Sequence, residues 1–352
     1  MKIFKIMLPV IALLAVGTGC ANKHDVNNNE ESLDVINLVH YESCTNLNSE
    51  VACNRLGDSY ATGQGVKQDY SKANVYYEKA CNMNYGEGCN NLGFLYDNGW
   101  GVKKDYSKAN IYYEKACSLN DNFGCYNLGN AYYFGRNVKS DYSKANIYYE
   151  KACNLNCSQG CFNLGNSFNN GEGVKQDYKK ANTYYEKACN LNEGGGCNNL
   201  GNLYYNGHGV KQDYKKALTY YEKACNLDDG NGCKHLGNSY YNGWGVKKDY
   251  SKAKSYYEKA CNLDNGNGCL NLGFLYDKGL GLRQNMSVAV SYYEKGCKLK
   301  NNIACGNLGF LYENGNGVRQ NRTTAKEYYG KSCDLGNQEG CDNYRTLNEQ
   351  GY

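Results

Sequence analysis

Apolar and small residues between Glu87 and Leu119 follow two successive helical patterns. In the first segment, which we call helix A, they recur at i, i+3, i+4 and i+7 and share one face; these residues are Cys89, Leu92, Gly93 and Tyr96. In the second segment, helix B, a similar stripe is formed by Tyr106, Ala109, Tyr113, Ala116 and Cys117. Gly99 is predicted to end helix A, and Asp105 is predicted to cap the start of helix B. The stretch therefore predicts a pair of antiparallel helices.

The same pattern recurs along the chain with a fixed period of 36 residues, and two cysteines mark each period. The first falls at Cys81, Cys117, Cys153, Cys189, Cys225, Cys261, Cys297 and Cys333, and the second at Cys89, Cys125, Cys161, Cys197, Cys233, Cys269, Cys305 and Cys341. A period of this length is typical of a solenoid, which grows by stacking and needs no separate core. We therefore predict an all-α solenoid of αα-hairpins, although 352 residues are enough for two ordinary domains.

The predicted solenoid spans residues 32–352 and divides into a capping half-unit at residues 32–49, tandem 36-residue units at 50–337 and a terminal helix at 338–352. The first part is assigned as a cap because Cys44 and Cys53 are nine residues apart, whereas later pairs are eight apart. Atypical end units are expected, since the ends of a solenoid have no neighbour to cover them.

The N-terminus has the features of an export signal. Two lysines lead into an apolar run from Ile6 to Val16, which is too short to span a bilayer. Residues 1–19 are therefore predicted to be a signal peptide, and residues 21–31, which are polar and aperiodic, a disordered tether. The small residues before Cys20 resemble a bacterial lipobox, so Cys20 is the predicted first mature residue and a lipidation site. Plain secretion is the alternative.

The 20 cysteines are far above normal usage and suit an oxidising compartment outside the cytoplasm. If helix B ends near the first cysteine and an antiparallel helix A carries the second, the two sulfurs face each other. We predict nine local disulfides: Cys44–Cys53, Cys81–Cys89, Cys117–Cys125, Cys153–Cys161, Cys189–Cys197, Cys225–Cys233, Cys261–Cys269, Cys297–Cys305 and Cys333–Cys341. Metal binding is disfavoured, because two thiolates supply half of a tetrahedral zinc site and the four histidines follow no period.

Cys157 breaks the parity of this scheme, since it lies inside the Cys153–Cys161 loop and is left over there. From the sequence it could be a free thiol, a site of disulfide exchange or half of an intermolecular bridge. A chance substitution on a surface turn is the alternative.

Two off-core positions of helix A, two and five residues after the second cysteine, are rich in asparagine. They are spaced i, i+3 and share a face, which we call the asparagine ladder; it contains Asn91, Asn127, Asn130, Asn163, Asn166, Asn199, Asn202, Asn238, Asn271 and Asn307, with Phe94, Phe274 and Phe310 in outer units. Because an amide both donates and accepts hydrogen bonds, the ladder suits the backbone of an extended peptide. We predict that it binds a peptide or protein ligand in a concave groove. Hydrogen bonds between neighbouring units are the competing interpretation.

The motif Leu-Gly-x-x-Tyr-x-x-Gly-x-Gly-Val-x-x-Asp-Tyr-x-Lys-Ala-x-x-Tyr-Tyr-x-Lys-Ala-Cys, which starts at Leu92, resembles the Sel1-like repeat, a relative of the tetratricopeptide repeat. The cysteine pair in each unit is similar to that of the cysteine-rich Sel1-repeat proteins of Helicobacter and Campylobacter relatives. This resemblance implies a right-handed α-superhelix with one disulfide per hairpin. It also implies secretion, with either engagement of host cells or β-lactamase and penicillin-binding activity, which adds cell-wall and β-lactam-like molecules to the candidate partners.

The residues themselves give little support to hydrolysis. Ser251 and Lys254 form a Ser-x-x-Lys element like that of serine β-lactamases, but the sequence has no Lys-Thr-Gly element, and chance explains the match. The formal charge of +4 is too small and too dispersed for nucleic-acid binding. We therefore expect an exported, monomeric interaction scaffold that uses no cofactor or metal and meets a membrane through its lipid anchor. It would face the periplasm, sit in the outer membrane or be secreted; β-lactamase activity and a purely structural envelope role are the alternatives.

Overall fold

The structure, a computed structural model, describes residues 33–352, with side chains from residue 36 onward. The predicted signal peptide at 1–19, the predicted lipidation site Cys20 and the predicted tether at 21–31 lie outside the described residues. The chain divides into two compact units, unit 1 ending at Glu193 and unit 2 running from Gly194 to Tyr352.

The described residues form helices joined by short turns. Unit 1 contains α1 (Leu33–Asn46), α2 (Glu50–Thr62), α3 (Tyr70–Asn82), α4 (Gly86–Asn98), α5 (Tyr106–Ser118), α6 (Asn122–Phe134), α7 (Tyr142–Asn154), α8 (Ser158–Asn170) and α9 (Tyr178–Asn190). Unit 2 contains α10 (Gly194–Asn206), α11 (Tyr214–Asn226), α12 (Gly230–Asn242), α13 (Tyr250–Asn262), α14 (Gly266–Lys278), α15 (Met286–Lys298), α16 (Asn302–Asn314), α17 (Arg322–Asp334) and α18 (Gln338–Glu349).

Each repeat is an αα-hairpin in which helix A packs against the helix B that follows it. Repeats 1 to 4 are the pairs α2–α3, α4–α5, α6–α7 and α8–α9 in unit 1, and repeats 5 to 8 are the pairs α10–α11, α12–α13, α14–α15 and α16–α17 in unit 2. Successive helices A also touch, as α4 and α6 do in unit 1 and α12 and α14 do in unit 2. The predicted all-α solenoid of hairpins is thereby confirmed, and the helices A form one face of each unit.

The helix boundaries follow from local chemistry. Gly99 ends α4 with a φ of 74°, a left-handed conformation that glycine adopts without strain. Asp105 caps α5, where its carboxylate accepts a hydrogen bond from the backbone amide of Lys108 at 3.0 Å. Both boundaries were predicted from the sequence.

The glycine four residues after the second cysteine makes room for a tyrosine ring of helix B. A Cβ atom added to Gly93 would lie 2.8 Å from the ring of Tyr113 and 3.1 Å from the carbonyl oxygen of Ala109. Tyr113 is buried, so the space that glycine leaves is filled by an aromatic side chain. This burial offsets the cost of about 1 kcal/mol that glycine brings to a helix interior.

Eight disulfides of the described residues have the predicted pairing: Cys44–Cys53, Cys81–Cys89, Cys117–Cys125, Cys153–Cys161, Cys225–Cys233, Cys261–Cys269, Cys297–Cys305 and Cys333–Cys341. The paired Cα atoms lie 4.4 to 4.7 Å apart, within normal disulfide reach. After the cap, each bridge joins helix B of one repeat to the helix that follows it. Cys189 and Cys197 are disulfide-bonded as well, and their mutual pairing stays a prediction.

Cys157 departs from the expectation that it is left over. It is disulfide-bonded, and none of the cysteines in residues 33–352 is free. The side chain is fully buried at the N-terminal boundary of α8, so it does not lie on a surface turn either.

In several of the turns that a disulfide closes between repeats, the helix ends lie so close that one of two facing residues is a glycine. A Cβ atom on Gly124 would lie 2.4 Å from the Cβ of Ala116. Between α15 and α16 the two residue types are exchanged, and a Cβ atom on Gly296 would lie 2.9 Å from the Cβ of Ala304. In both turns one alanine faces one glycine, because the close-packed interior has space for only one methyl group.

In several repeats, a lysine near the end of helix B caps the C-terminal end of the preceding helix B. Lys115 donates a hydrogen bond to the carbonyl oxygen of Cys81 at 2.7 Å, and Lys151 does the same to Cys117 at 2.7 Å. These carbonyls lie at the end of the previous helix B, where the helix dipole is negative and the last carbonyls have no partner in their own helix. The lysine therefore stabilises the stacking of one repeat on the next.

Candidate functional site

A groove of about 750 Å³ opens in unit 2 and is lined mainly by residues of the helices A. Its apolar walls include Phe274, Ile303 and Phe310, whose exposed fractions are 36%, 49% and 54%. A concave surface with apolar walls and a few polar groups is the usual form of a ligand-binding site.

Three residues of the asparagine ladder meet in this groove, namely Asn238, Asn271 and Asn307. Two of the phenylalanines at the second ladder position, Phe274 and Phe310, lie beside them. All ten ladder residues are half-buried. The members that do not line this groove are Asn91, Asn127, Asn130, Asn163, Asn166, Asn199 and Asn202.

The first ladder position forms hydrogen bonds between neighbouring repeats. The amide nitrogen of Asn127 donates to the side-chain oxygen of Asn90 at 2.9 Å. In the groove, the amide nitrogen of Asn271 donates to the side-chain oxygen of Asn238 at 3.2 Å. Joining consecutive helices A is therefore one role of the ladder, as the competing interpretation held.

The second ladder position accepts a hydrogen bond from the buried tyrosine of helix B, a partner that sequence reasoning missed. Four hydroxyl groups donate to asparagine side-chain oxygens at 2.7 to 2.8 Å: Tyr149 to Asn130, Tyr185 to Asn166, Tyr221 to Asn202 and Tyr257 to Asn238. A buried hydroxyl group requires such a partner, because leaving it without one costs about 1–3 kcal/mol.

Where phenylalanine replaces this asparagine, an acidic residue three positions later is available as the acceptor. The Tyr113 hydroxyl donates to Asp97 at 3.5 Å, and the Tyr329 hydroxyl donates to Glu313 at 2.8 Å. The exchange is visible in the sequence as three pairs: Phe94 with Asp97, Phe274 with Asp277, and Phe310 with Glu313. This correlated change is the signal that could have identified the tyrosine as the ladder's partner.

Repeat 7 departs from both arrangements. The hydroxyl of Tyr293 is buried and, within the described structure, has no hydrogen-bond partner. Burial raises the pKa of Tyr293 well above its usual range, and the nearby Asp277 raises this pKa further. The side-chain amide of Asn307 lies near the hydroxyl and lowers this pKa in part. It does not form a hydrogen bond of normal geometry with the hydroxyl. The phenol is therefore neutral and keeps its proton available for donation.

Repeat 1 uses a carboxyl group at the second ladder position. The hydroxyl of Tyr77 donates to Asp58 at 2.8 Å, and the amide nitrogen of Asn91 lies 3.4 Å from the same oxygen. Burial raises the pKa of Asp58 to about 7, against the lowering effect of the Tyr77 hydrogen bond. The charge of Glu87 adds to the rise in this pKa, and that of Arg55 opposes it.

The candidate hydrolase residues lie outside the groove. Ser251 is exposed in the first turn of α13, and its carbonyl oxygen accepts a hydrogen bond from the Ser255 hydroxyl at 3.2 Å. The Lys254 ammonium group lies 3.8 Å from the carboxylate of Glu258, so its nearest charged partner is a structural one. This arrangement gives no support to the β-lactamase alternative.

No group of three or more histidine, cysteine, aspartate or glutamate side chains in residues 33–352 is placed to hold a metal ion. In the same part of the chain, none of the helices combines the length and the apolar character needed to cross a bilayer.

Comparison with protein families identifies the repeat. The family model described as Sel1 repeat matches eight stretches of the chain: residues 51–85, 86–121, 123–157, 158–193, 195–229, 231–265, 266–301 and 302–337. No protein with curated function matches the chain significantly.

Solved structures of repeat proteins are similar to this chain. One is c5321, described as a protective antigen of uropathogenic Escherichia coli strains displaying an SLR fold; it shares 28% identity over 92% of this chain and 68% of that chain, with a TM-score of 0.72. A Sel1 repeat protein from Oxalobacter formigenes shares 32% identity over 64% of this chain and 92% of that chain, with a TM-score of 0.60. Helicobacter pylori cysteine rich protein B shares 37% identity over 39% of this chain and 98% of that chain, with a TM-score of 0.32.

Proposed function

Because the chain belongs to the Sel1 repeat family, whose model matches eight stretches between residues 51 and 337, we propose that it is an exported interaction scaffold. In this proposal the groove of unit 2 binds a peptide or protein ligand. Stacked helix pairs build extended surfaces of this kind, and proteins made of them commonly use those surfaces to bind other proteins.

The observation that carries the proposal is the composition of the groove. Phe274, Ile303 and Phe310 expose large apolar side chains beside the half-buried amides of Asn271 and Asn307. Apolar contact area supplies affinity in such sites, while a small number of fixed polar groups orients the ligand. An extended peptide offers both, since side chains and backbone amides alternate along it.

The rest of the ladder enters the proposal as a secondary contact surface. A side-chain amide has two donor hydrogens and an oxygen with two lone pairs. The bond from Asn127 to Asn90, or from Tyr149 to Asn130, uses only part of this capacity. Half-buried ladder residues therefore retain groups with which they can bind a peptide backbone.

Export rests on the cysteines. Disulfides at roughly one per repeat are typical of an oxidising environment. The proposal adds a signal peptide at residues 1–19 and lipidation at Cys20, with the protein in the periplasm, in the outer membrane or secreted. Mass spectrometry of the mature protein tests this part: a lipidated N-terminal Cys20 is expected, and an unmodified chain that starts beyond Cys20 contradicts the anchor.

Peptide binding is tested by selection from a random dodecapeptide phage library, followed by titration of the synthetic peptides that are recovered. Phe274→Asn and Phe310→Asn should each weaken binding, and both should fold because other repeats carry asparagine at this position. Phe134→Asn is the matched control, since Phe134 is 62% exposed and does not line the groove. Equal affinities in the wild type and both groove variants would contradict the proposal.

A further inference from the structure

Tyr293 places a buried hydroxyl without a partner in the wall of the unit 2 groove. The residue is 1% exposed, it lines the groove, and its hydroxyl forms no hydrogen bond within the described structure. In repeat 6 the equivalent hydroxyl of Tyr257 is bonded to Asn238, and in repeat 8 that of Tyr329 is bonded to Glu313. Buried polar groups are almost always paired, so an unpaired one beside a cavity calls for a specific explanation.

The acceptor that repeat 7 could supply is engaged elsewhere. Asp277 occupies the position of Glu313, but its carboxylate is paired with the ammonium group of Lys278 at 3.1 Å. The position of Lys278 holds asparagine in repeats 2 and 8, where Asn98 and Asn314 each bond to a backbone carbonyl of their own helix. Asp97 of repeat 2 is also ion-paired, with Arg136 at 2.9 Å, and still accepts from Tyr113. Repeat 7 differs in that the cation paired with its acid is the adjacent residue, Lys278.

The charges around the hydroxyl favour an uncharged ligand. Asp277 and Lys278 are the charged residues among those that line the groove, and they neutralise each other. A carboxylate brought to Tyr293 would lose its hydration and find no unpaired cation among the residues that line the groove, and an ammonium group would bring no acceptor for the hydroxyl. A neutral carbonyl oxygen satisfies the donor without either cost, because it accepts a hydrogen bond and carries no net charge.

The apolar walls favour bulky side chains on either side of that carbonyl. Phe274 and Phe310 occupy equivalent positions on successive helices A, and Ile303 lies at the start of α16. These three side chains are partly exposed, so a ligand that covers them removes apolar area from water. Successive side chains of an extended peptide point to opposite sides, so two side chains that are two residues apart can both cover the apolar walls, with backbone carbonyls between them.

On the basis of the proposed function, we propose that the Tyr293 hydroxyl is the polar anchor of the groove. It donates a hydrogen bond to a backbone carbonyl in an uncharged segment of a peptide ligand, and bulky apolar side chains of that segment cover Phe274, Ile303 and Phe310. The anchor is available because Lys278 keeps Asp277 away from the hydroxyl.

The test uses the full chain and a panel of heptapeptides blocked at both ends, with leucine or phenylalanine at the third and fifth positions of a glycine–serine background. Isothermal titration calorimetry should show binding to the wild type. Tyr293→Phe should weaken it about fivefold, as expected for one hydrogen bond. Two amides join the third and fifth positions, and replacing either by an ester weakens its carbonyl oxygen as an acceptor. One of the two esters should therefore weaken binding to the wild type more than binding to Tyr293→Phe, which lacks the donating hydroxyl.

A second variant tests the same idea without altering the tyrosine. Lys278→Asn, which restores the residue of repeats 2 and 8, should free Asp277 to accept from Tyr293 and thus weaken peptide binding by a similar factor. Tyr113→Phe is the matched control, because Tyr113 lies in unit 1 and is bonded to Asp97. This control should bind the peptides as the wild type does.

The outcomes separate the anchor from the proposed function. Binding that Phe310→Asn weakens, but that Tyr293→Phe and Lys278→Asn leave unchanged, overturns the anchor and keeps the groove. Binding to a peptide with a central glutamate that equals or exceeds binding to the neutral peptides overturns the choice of a neutral segment. A wild-type protein that binds no member of the panel overturns the anchor as stated here, whereas the proposed function then depends on the peptides recovered from the phage library.

Discussion

Repeats 6 and 7 bury the same tyrosine against different surroundings. In repeat 6 the hydroxyl of Tyr257 donates to Asn238, which also accepts from Asn271. In repeat 7 phenylalanine stands at the asparagine position, and the hydroxyl of Tyr293 has no partner within the described structure. The ladder asparagine thus completes the packing of its own repeat. Where it is replaced, the surface gains an exposed aromatic ring and the tyrosine needs another acceptor, so a binding surface develops at the place where the structural role is given up.

The largest effect on stability is expected in repeat 1, where Asp58 occupies the second ladder position. The pKa of Asp58 is raised to about 7 in the folded protein, above the ordinary value of 3.8. The folded state therefore binds the proton more tightly than the unfolded state, and stability falls as pH rises from about 4 to about 7. The slope approaches about 1.4 kcal/mol per pH unit within this window. Asp58→Asn should remove this slope and stabilise the protein above neutral pH, as measured by urea unfolding across the pH range.

The reverse exchange is the control for this prediction. Asn130→Asp places a carboxyl group next to Tyr149, where the wild type has an amide. It should introduce a loss of stability with rising pH that the wild type lacks in repeat 3. A pH profile of Asp58→Asn that is parallel to the wild-type profile would show that Asp58 is not the group responsible.

The tyrosine hydroxyl donates its hydrogen bond either to an asparagine or to an acid three residues later, and moving the acid into repeat 4 tests whether the two acceptors are equivalent. Asn166→Phe removes the acceptor of Tyr185 and should cost about 1–3 kcal/mol of unfolding free energy, because a buried hydroxyl loses its partner. Asn169 lies three residues later, at the position that holds an acid in repeats 2, 7 and 8. Adding Asn169→Asp should recover part of the loss, since the carboxylate can then accept from Tyr185.

A double-mutant cycle on these two positions measures the exchange by chemical unfolding with the disulfides intact. The coupling energy should be stabilising, and Asn169→Asp alone should change stability little. Additive effects of the two substitutions would contradict the rule that the acid replaces the amide.

The smallest expected change in stability compares the buried tyrosines of repeats 6 and 7 directly. Tyr257→Phe removes a satisfied hydroxyl and leaves Asn238 with one donor fewer, so it should cost about 1 kcal/mol. Tyr293→Phe removes a hydroxyl that has no partner within the described structure, so stability should be unchanged or slightly higher. Thermal unfolding of the two variants in the absence of peptide measures the difference, and equal losses would indicate that Tyr293 is bonded in the free protein.

Much of the fold could be predicted because its signals are local. The boundary at Gly99 and the cap at Asp105 each depend on one residue and its neighbours. Eight of the disulfide pairings followed from the short turn between two helices. The partners of the ladder could not be predicted in the same way, because Tyr149 is 19 residues from Asn130 and meets it only through the packing of the hairpin.

In repeat 7, the lack of a partner for the Tyr293 hydroxyl within the described structure could not be predicted from the sequence either. The exchange of Phe94 and Asp97 for an asparagine acceptor can be seen in the sequence, but it has no meaning until the buried hydroxyl is located. The effect of Lys278 requires still more, since its pairing with Asp277 depends on side-chain conformation. For Cys157, parity marked the residue as unusual, whereas burial and its disulfide became evident only in three dimensions.

The hydrogen bond from a lysine to the preceding helix B links the capping of one repeat to the folding of the next. Lys115 reaches back 34 residues to the carbonyl of Cys81, and Lys259 reaches back by the same number to Cys225. In these repeats, a chain that is synthesised from its N-terminus forms the acceptor helix end before it forms the helix that supplies the lysine. Where this bond forms, the C-terminal end of one helix B is therefore capped only after the next helix B has folded.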